Sequence, residues 1–184
     1  MKLGAKSLII VFISVTLIVL GYSLIKIVFF KSTDTLFKYA PQVKKVKLYF
    51  VNQDGKLQAE KREIQGGGSI QEDVKLCIEE LAAGPKEKGL MRSLPPLVFI
   101  KGVYLDENRC IYLDFNKSIT EKPVGGTKRE QQMIYSLVNT ILDNFGQLNS
   151  VKILVDGQEI KTLGGHLDVN QPLRSKKYIE LWLL

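Results

Sequence analysis

The chain has 184 residues, a formal net charge of +7 and 45% hydrophobic residues. The part that follows an apolar N-terminal run has the size of one domain with a single core. Its basic residues are interleaved with acidic ones, which excludes the long basic arm typical of nucleic-acid binding. His166, Cys77 and Cys110 lack the spacing of zinc ligands, so we expect no metal. We also expect no cofactor and no nucleic-acid partner. The two cysteines are expected to be buried free thiols.

The N-terminal run Leu8–Ile25 is uncharged and mostly apolar, and it follows Lys2 and Lys6. A run of about eighteen such residues is long enough to cross the hydrocarbon core of a bilayer. Apolar residues continue beyond Lys26, which favours an uncleaved anchor over a cleaved signal peptide. We therefore predict a cytoplasmic tip and transmembrane helix at 1–31, a linker at 32–42 and a globular domain at 43–184. The lysine positions predict a single-pass protein of the inner or cytoplasmic membrane with an extracytoplasmic domain.

The globular part begins with two predicted strands. Val43–Val51 alternates, with Val46, Leu48 and Phe50 on its apolar side, and is typical of a half-buried strand. After a tight-turn signal, Leu57–Ile64 is more polar and is predicted to be an edge strand.

A glycine run, Gly66–Gly68, precedes the first predicted helix of this domain. It lacks the Lys-Ser/Thr pair of a phosphate-binding loop, so we interpret it as a flexible connector. Ser69 and Glu72 have the spacing of a helix-start capping box, and Gly84-Pro85 is a stop signal. Apolar residues at helical spacing between these signals predict a helix. They are Ile70, Val74, Cys77, Ile78 and Leu81.

The next elements are a predicted hairpin and a second helix. Val98–Leu105 and Arg109–Phe115 have strand patterns, and Ile111, Leu113 and Phe115 form the expected core face. A polar loop at Asn116–Gly126 then leads into the second helix.

That second helix has sequence signals at both ends and an apolar stripe between them. Thr127 and Glu130 are spaced as a capping box, and Gly146 is expected to adopt the left-handed conformation that ends the helix. A β-branched strand, Val151–Gly157, follows, and Tyr178–Leu184 is predicted as a last edge strand.

The order β-β-α-β-β-α-β predicts an α+β fold. We expect a mostly antiparallel sheet with the two helices packed on one face, preceded by the transmembrane helix.

An enzyme would need a nucleophile with a base, or two carboxylates in different environments, facing one cleft. The available candidates are Asp114, Glu130, Asp156, His166 and Asp168. Each of three candidates has a simpler structural role. Glu130 is expected to cap a helix and Asp156 to stabilise a turn by local hydrogen bonding. A single histidine in a loop, such as His166, is more often solvated than catalytic. We therefore expect no catalysis, and a cryptic hydrolase is the least favoured alternative.

Two binding hypotheses remain open. In the first, a sheet edge or face docks onto another copy or another envelope protein. In the second, the loops hold a cell-wall polymer such as peptidoglycan, or a peptide fragment. The residues predicted for such an interaction or ligand loop are Gly84, Pro85, Leu94, Pro95, Asp114, Asn116, Gly126, Glu130, Asn139 and His166. Asn139 and Thr140, polar within an apolar helix, are expected to hydrogen-bond an adjoining loop instead.

An ordered series of short motifs resembles the GerMN domain of sporulation and spore-germination proteins, from Lys44 to about Leu173. The motifs are Leu48–Phe50, Ile78–Pro85, Gly89-Leu90, Leu94-Pro95, Tyr112–Asn116, Gly126 with Glu130, Ile134–Ile141 and Val151–Gly157.

The resemblance implies an extracytoplasmic, membrane-anchored module related to ring-building folds of envelope assemblies. It implies an interaction role, with the bilayer and self-association or another envelope protein as partners, and no established catalysis. The chain carries one copy of the domain, whereas the best-known member carries two, and it has no lipid-attachment cysteine after its apolar run.

Overall fold

The computed structural model describes residue 4 and residues 13–26, 42–121 and 126–174. Residues 13–26 are helical, and the chain divides into two units, Met1–Ala40 and Pro41–Leu184. Within the described ranges, no helix has the length and apolar character needed to traverse a bilayer. The start of the apolar run, residues 32–41 of the predicted 32–42 linker and the predicted strand Tyr178–Leu184 lie outside the described residues.

The strands of the second unit form two sheets. In the first, β1 (Gln42–Val51) pairs antiparallel with β2 (Leu57–Gly66). The second has the order β3 (Ile100–Leu105), β4 (Cys110–Phe115), β5 (Ser150–Val155) and β6 (Gln158–Glu159). The β4–β5 pair is parallel because a helix connects the two strands, and the other pairings are antiparallel.

Two helices complete this unit, α1 (Ile70–Ala83) and α2 (Gly126–Asn144), together with a 3₁₀ turn at Lys117–Thr120. Helix α1 contacts β1, β2 and β3, and α2 contacts β1, β5 and α1. The α+β class is thus confirmed. The predicted single sheet with both helices on one face is wrong, because the strands form two sheets and each helix contacts both.

The reason for two sheets lies in α2, which bonds to the free edge of β1. Asn144 accepts a hydrogen bond from the Lys47 N–H and donates one to the Lys47 carbonyl, at 2.9 and 2.7 Å. Thr140 accepts from the Tyr49 N–H at 3.1 Å, and Ser136 donates to the Tyr49 carbonyl at 2.5 Å. These three side chains recur every four residues and therefore share one helix face. They occupy the edge groups that another strand would need.

The predicted core faces are confirmed. Val46, Leu48 and Phe50 on β1 are buried, as are Ile111, Leu113 and Phe115 on β4, and all belong to one continuous core. The two cysteines are free and buried, as expected. Burial raises the pKa of Cys77 to about 12, so its thiol is an inert core group.

The helix-end signals are confirmed only in α1. Ser69 accepts from the Glu72 N–H at 3.2 Å and starts α1 as predicted. The Glu130 carboxylate is instead bonded to a distant loop, so its predicted capping role is wrong. Helix α2 ends at Asn144, and Gly146 has no positive φ, so the predicted left-handed stop is also wrong.

Candidate functional site

The corner after α1 contains two of the predicted site residues, Gly84 and Pro85. Gly84 has a φ of 93°, which a side chain would strain, and its carbonyl accepts from Arg62 at 2.6 Å. Arg62 also bonds Glu60 at 2.6 Å, and both side chains are buried. The second Glu60 oxygen accepts from the N–H groups of Lys86 and Glu87, each at 2.9 Å. Gly84 and Pro85 therefore belong to a corner held by β2.

The Glu60–Arg62 pair was missed from the sequence, although both residues alternate in phase with the buried Ile64. Burial alone raises the pKa of Glu60. The Glu87 N–H, the Arg62 side chain and the Lys86 N–H together outweigh burial and hold that pKa below its ordinary value. The carboxylate thus stabilises the corner in its charged form.

The loop between the corner and β3 is ordered, as expected from its apolar residues. Leu94 is part of the core and Pro95 beside it is half-buried. Arg92 donates to the carbonyls of Ala82 and Ala83, at 2.6 and 2.7 Å, and so closes the end of α1. These contacts give Leu94 and Pro95 a structural role.

Glu130 and His166 are brought together through the backbone. The fully buried Glu130 carboxylate accepts from the N–H groups of Leu163, Gly164 and His166, at 3.1, 2.8 and 2.9 Å. The His166 side chain is exposed. Glu130 therefore fixes the fold of the 163–166 loop, and its oxygens are directed at backbone groups of the protein itself.

Asp114 lies at a different place, beside the β5–β6 turn. Its buried carboxylate accepts from the Gly157 N–H at 2.8 Å, and the turn residue Asp156 pairs with Lys101 at 2.8 Å. Asp156 and Gly157 both have positive φ, as the tight turn requires. Asp114 is thus used to position a hairpin.

Two further predicted residues lie on α2. Gly126 begins the helix and is exposed, with a φ of 59°. Asn139 is almost fully buried, and neither of its amide atoms has a hydrogen-bond partner among the described residues. The expected bond from Asn139 to a loop is therefore not found in the part of the chain that the structure describes, whereas Thr140 bonds Tyr49 on a strand edge.

The predicted residues thus fall into separate structural clusters. Within the described ranges, no group of three or more histidine, cysteine or acidic residues could hold a metal ion. No hydrogen bond or ion pair found in the described part of the chain joins His166 to Asp114.

A different surface has the properties of a docking site, and sequence reasoning missed it. Four large apolar side chains are exposed along one short segment, Leu97 by 80%, Phe99 by 57%, Tyr104 by 57% and Leu105 by 38%. We call this segment, residues 97–105, the β3 edge surface. Exposed large apolar side chains concentrated in one short segment often mark an interaction site.

Asn116 holds the start of the β3 edge surface in place. Its side chain donates to the Leu97 carbonyl at 3.0 Å and accepts from the Phe99 N–H at 2.9 Å. Leu97 adopts a φ of 65°, a conformation unfavourable for a residue with a branched side chain. Residues kept in such conformations are concentrated at functional sites. Asn116, predicted from the sequence as a site residue, therefore positions this surface.

β3 is also an edge strand whose far side has no partner strand among the described residues. The Asp106 N–H donates to the Cys110 carbonyl on β4. In an antiparallel strand, the backbone N–H and C=O groups of every second residue point to the same side. Tyr104 and Gly102 therefore direct their backbone groups to β4, while Val103 and Leu105 direct theirs outward.

The other strand edges are less available. The outer edge of β1 is closed by α2 and, at Val51, by backbone bonds to Met91. β2 exposes the charged Lys61 and Glu63, which discourage strand addition. β6 has only two residues. The β3 edge surface thus combines an open edge with exposed apolar side chains.

Comparisons with known proteins agree on the domain. The profile described as "Germane: Sporulation and spore germination" matches residues 47–161. Among proteins with curated descriptions, none is significantly similar to the sequence.

Solved structures share the fold. The first GerMN domain of the sporulation protein GerM from Bacillus subtilis has a TM-score of 0.62 and 19% identity, covering 73% of this chain and 99% of that one. The tandem GerMN domains of the same protein have a TM-score of 0.58 and 16% identity, covering 72% of this chain and 46% of the tandem. A candidate lipoprotein from Clostridium perfringens has a TM-score of 0.54 and 24% identity, covering 72% of this chain and 88% of its own.

The matched profile spans well over half of the chain, and the neighbouring structures have the same α+β fold. The resemblance predicted from the sequence motifs is therefore confirmed, and the chain belongs to the Germane, or GerMN, family of sporulation and spore-germination domains.

Proposed function

We propose that this chain is a non-catalytic protein-interaction or assembly module of the bacterial cell envelope and that its β3 edge surface makes the contact. The observation that carries the proposal is the placement of Leu97 and Phe99. Both are exposed immediately before the edge strand β3, and Asn116 holds them there although Leu97 has an unfavourable φ. Strand addition at such an edge gives affinity through main-chain hydrogen bonds and specificity through side chains.

We further propose that the domain acts outside the cytoplasm, anchored to the membrane, in a process related to sporulation or germination. The family description and the Clostridium perfringens neighbour support this setting, as does the apolar sequence at Leu8–Ile25. A reporter tag fused after Leu184 tests the location. The tag should be reached by protease added to intact, wall-stripped cells, and protection of the tag would contradict an extracytoplasmic domain.

The alternative of a wall-polymer or peptide site in the predicted loops has weaker support. Glu130, Asp114 and Asn116 direct their polar atoms at backbone groups of the domain itself. A ligand would have to compete with these internal bonds.

Crosslinking in intact cells tests the proposed contact surface. Phe99→Ser and Tyr104→Ser should each remove the protein adducts of this chain, since both side chains are exposed and contribute little to the core. Val43→Ser is the matched control, because Val43 is an equally exposed apolar residue on β1. Adducts that survive both β3 edge substitutions would contradict the proposal. Thermal stabilisation of the purified chain by peptidoglycan fragments, with no protein adducts, would favour the ligand-binding alternative.

A further inference from the structure

A cluster of basic side chains covers the end of the domain where β1 turns into β2. The Nζ atom of Lys128, at the start of α2, lies against this turn, because a Cβ atom at Gly55 would be 3.1 Å from it. Gln132, one helical turn further along, donates to the Gly55 carbonyl at 2.8 Å. The start of α2 and the β1–β2 turn therefore form one surface.

The loop after α1 adds further cations to this surface. Arg129 donates to the Arg92 carbonyl at 2.5 Å, which joins the loop to the start of α2. A Cβ atom at Gly89 would be 3.6 Å from the side-chain nitrogen of Gln53, so the neighbouring Lys88 also borders the β1–β2 turn. We call the basic residues at this end of the domain the basic tip. They are Lys56, Lys88, Arg92, Lys128 and Arg129.

The basic tip carries an excess of positive charge. Four of its side chains are exposed, and Arg129 is half-buried. Among the described residues, none of the five forms an ion pair with a carboxylate. Two exposed carboxylates, Asp54 and Glu87, lie in the same turn and loop, so five cations face two anions. The local field at this end of the domain therefore attracts anionic partners.

Stability of the helix does not explain the cations at the start of α2. The first turn of α2 contains Lys128 and Arg129 and no acidic residue, whereas the first turn of α1 contains Glu72 and Asp73. The positive end of the helix dipole disfavours cations, so these two charges oppose the helix that carries them. Residues that conflict with a local rule are concentrated at functional sites.

Lysine supplies the free charges of the basic tip. Arg92 and Arg129 donate to backbone carbonyls of the domain itself. Within the described ranges, the ammonium groups of Lys56, Lys88 and Lys128 have no hydrogen-bond partner. A lysine ammonium binds phosphate as a point charge, without the fixed geometry of an arginine fork. The basic tip therefore suits a flexible partner that carries many phosphate groups.

The place of the basic tip in the domain indicates which partner this is. The chain enters the domain at Gln42, and β1 carries it about 30 Å to the turn beside the basic tip. An anchor before Gln42, as proposed above, leaves the basic tip at the far end of that strand. A polymer beyond the membrane is therefore favoured over the lipid headgroups next to the anchor.

We propose that the basic tip binds a phosphate-bearing polymer of the cell wall through Lys56, Lys88 and Lys128. The site shares no residue with the β3 edge surface, so it adds a second contact to the proposed protein-interaction function. The choice of a wall polymer rests on the proposed extracytoplasmic location, whereas the anionic site itself rests on the charges of the basic tip.

Binding of synthetic poly(glycerol phosphate) to the purified full-length chain tests the site. The tip variant, Lys56→Gln/Lys88→Gln/Lys128→Gln, should bind about tenfold or more weakly at about 50 mM salt, because three phosphate contacts are lost. The control variant is Lys45→Gln/Lys47→Gln/Lys61→Gln, which removes the same charge from exposed lysines on β1 and β2. It should weaken binding by about threefold or less, since only the long-range attraction is reduced.

The salt dependence of binding provides a second readout. A plot of the logarithm of the binding constant against the logarithm of the salt concentration should become shallower by about 2 in the tip variant, as expected for three lost phosphate contacts. The control variant should retain the slope of the unsubstituted chain. Equal losses of affinity in the two variants would indicate a general effect of net charge and would overturn the proposal. Failure of the unsubstituted chain to bind the polymer would overturn it as well.

Two further ligands identify the occupant. Vesicles of phosphatidylglycerol and duplex DNA carry phosphate in a lipid and in a nucleic acid. Binding to either one that depends on the three tip lysines and is tighter than binding to poly(glycerol phosphate) would overturn the wall polymer as partner. Protein adducts that Phe99→Ser removes should persist in the tip variant, so this inference and the proposed protein contact can fail separately.

Discussion

Replacing Glu130 by glutamine should destabilise the domain through the 163–166 loop. The two side chains have nearly the same shape, but glutamine presents an NH₂ group where the carboxylate has its second oxygen. Glu130 Oε1 accepts from Leu163 and Gly164, and Oε2 accepts from His166. The glutamine oxygen can keep two of these bonds in weaker, neutral form, while its NH₂ group faces the His166 N–H or must rotate away from it.

The expected loss follows from these three bonds. Hydrogen bonds to a charged acceptor contribute about 1.5–3 kcal/mol each, compared with about 1 kcal/mol for neutral ones. The exposed position of His166 allows its N–H to regain water when the loop opens, which limits the penalty. We therefore expect the free energy of unfolding to fall by about 1–3 kcal/mol for Glu130→Gln and by more for Glu130→Ala.

Urea unfolding followed by circular dichroism measures this change, and hydrogen exchange locates it at the amides of Leu163, Gly164 and His166. Glu79→Gln is the matched control, because Glu79 is an exposed helix residue whose ion pair with Lys75 spans 3.9 Å. That control should change the free energy of unfolding by less than about 0.5 kcal/mol. If Glu130→Gln were as neutral as the control, the buried carboxylate would not be what holds the loop.

Three further substitutions have predicted effects on stability. Asn139→Leu should raise the free energy of unfolding by about 1–3 kcal/mol, since it removes a buried amide that has no partner among the described residues. Thr140→Val should lower that free energy by about 1 kcal/mol, because the Tyr49 N–H loses its acceptor. Glu60 has a folded-state pKa below its ordinary value of 4.5, so its stabilisation is present above that value and is lost as the pH falls through the folded-state pKa. Glu60→Gln should therefore reduce the loss of stability on acidification, measured by urea unfolding from pH 7 to pH 3.

Each of these expectations has an outcome that would contradict it. A destabilised Asn139→Leu variant would mean that the amide has an essential partner in solution. A neutral Thr140→Val variant would mean that the closed β1 edge contributes nothing to stability. An unchanged acid profile for Glu60→Gln would show that the corner after α1 is not held by the charged carboxylate.

The elements of this fold are largely predictable from local patterns, because strand alternation and helical stripes reflect burial directly. The alternation of Val46, Leu48 and Phe50 defined both a strand and its buried face, and Ile111, Leu113 and Phe115 did the same. The assembly of those elements into two sheets was not predictable in this way. It depends on the hydrogen bonds of Ser136, Thr140 and Asn144 to a strand that lies about ninety residues earlier in the chain.

The candidate site likewise combines a residue that the sequence indicated with features that only the fold reveals. Asn116 was singled out from the sequence, but its role became evident only from its bonds to Leu97 and Phe99. Those two residues occur in a short apolar stretch after Pro95-Pro96, where pattern alone favours burial. Both are nevertheless exposed, and Leu97 adopts a positive φ that no local pattern in this stretch encodes.

The most direct test of the account is photocrosslinking in intact cells from position 99. A photoreactive amino acid replacing Phe99 on the β3 edge surface should yield discrete protein adducts under ultraviolet light, and the same amino acid replacing the equally exposed Val43 should yield none. Discrete adducts from position 43 with none from position 99 would contradict the claim that the GerMN domain acts by protein contact through β3.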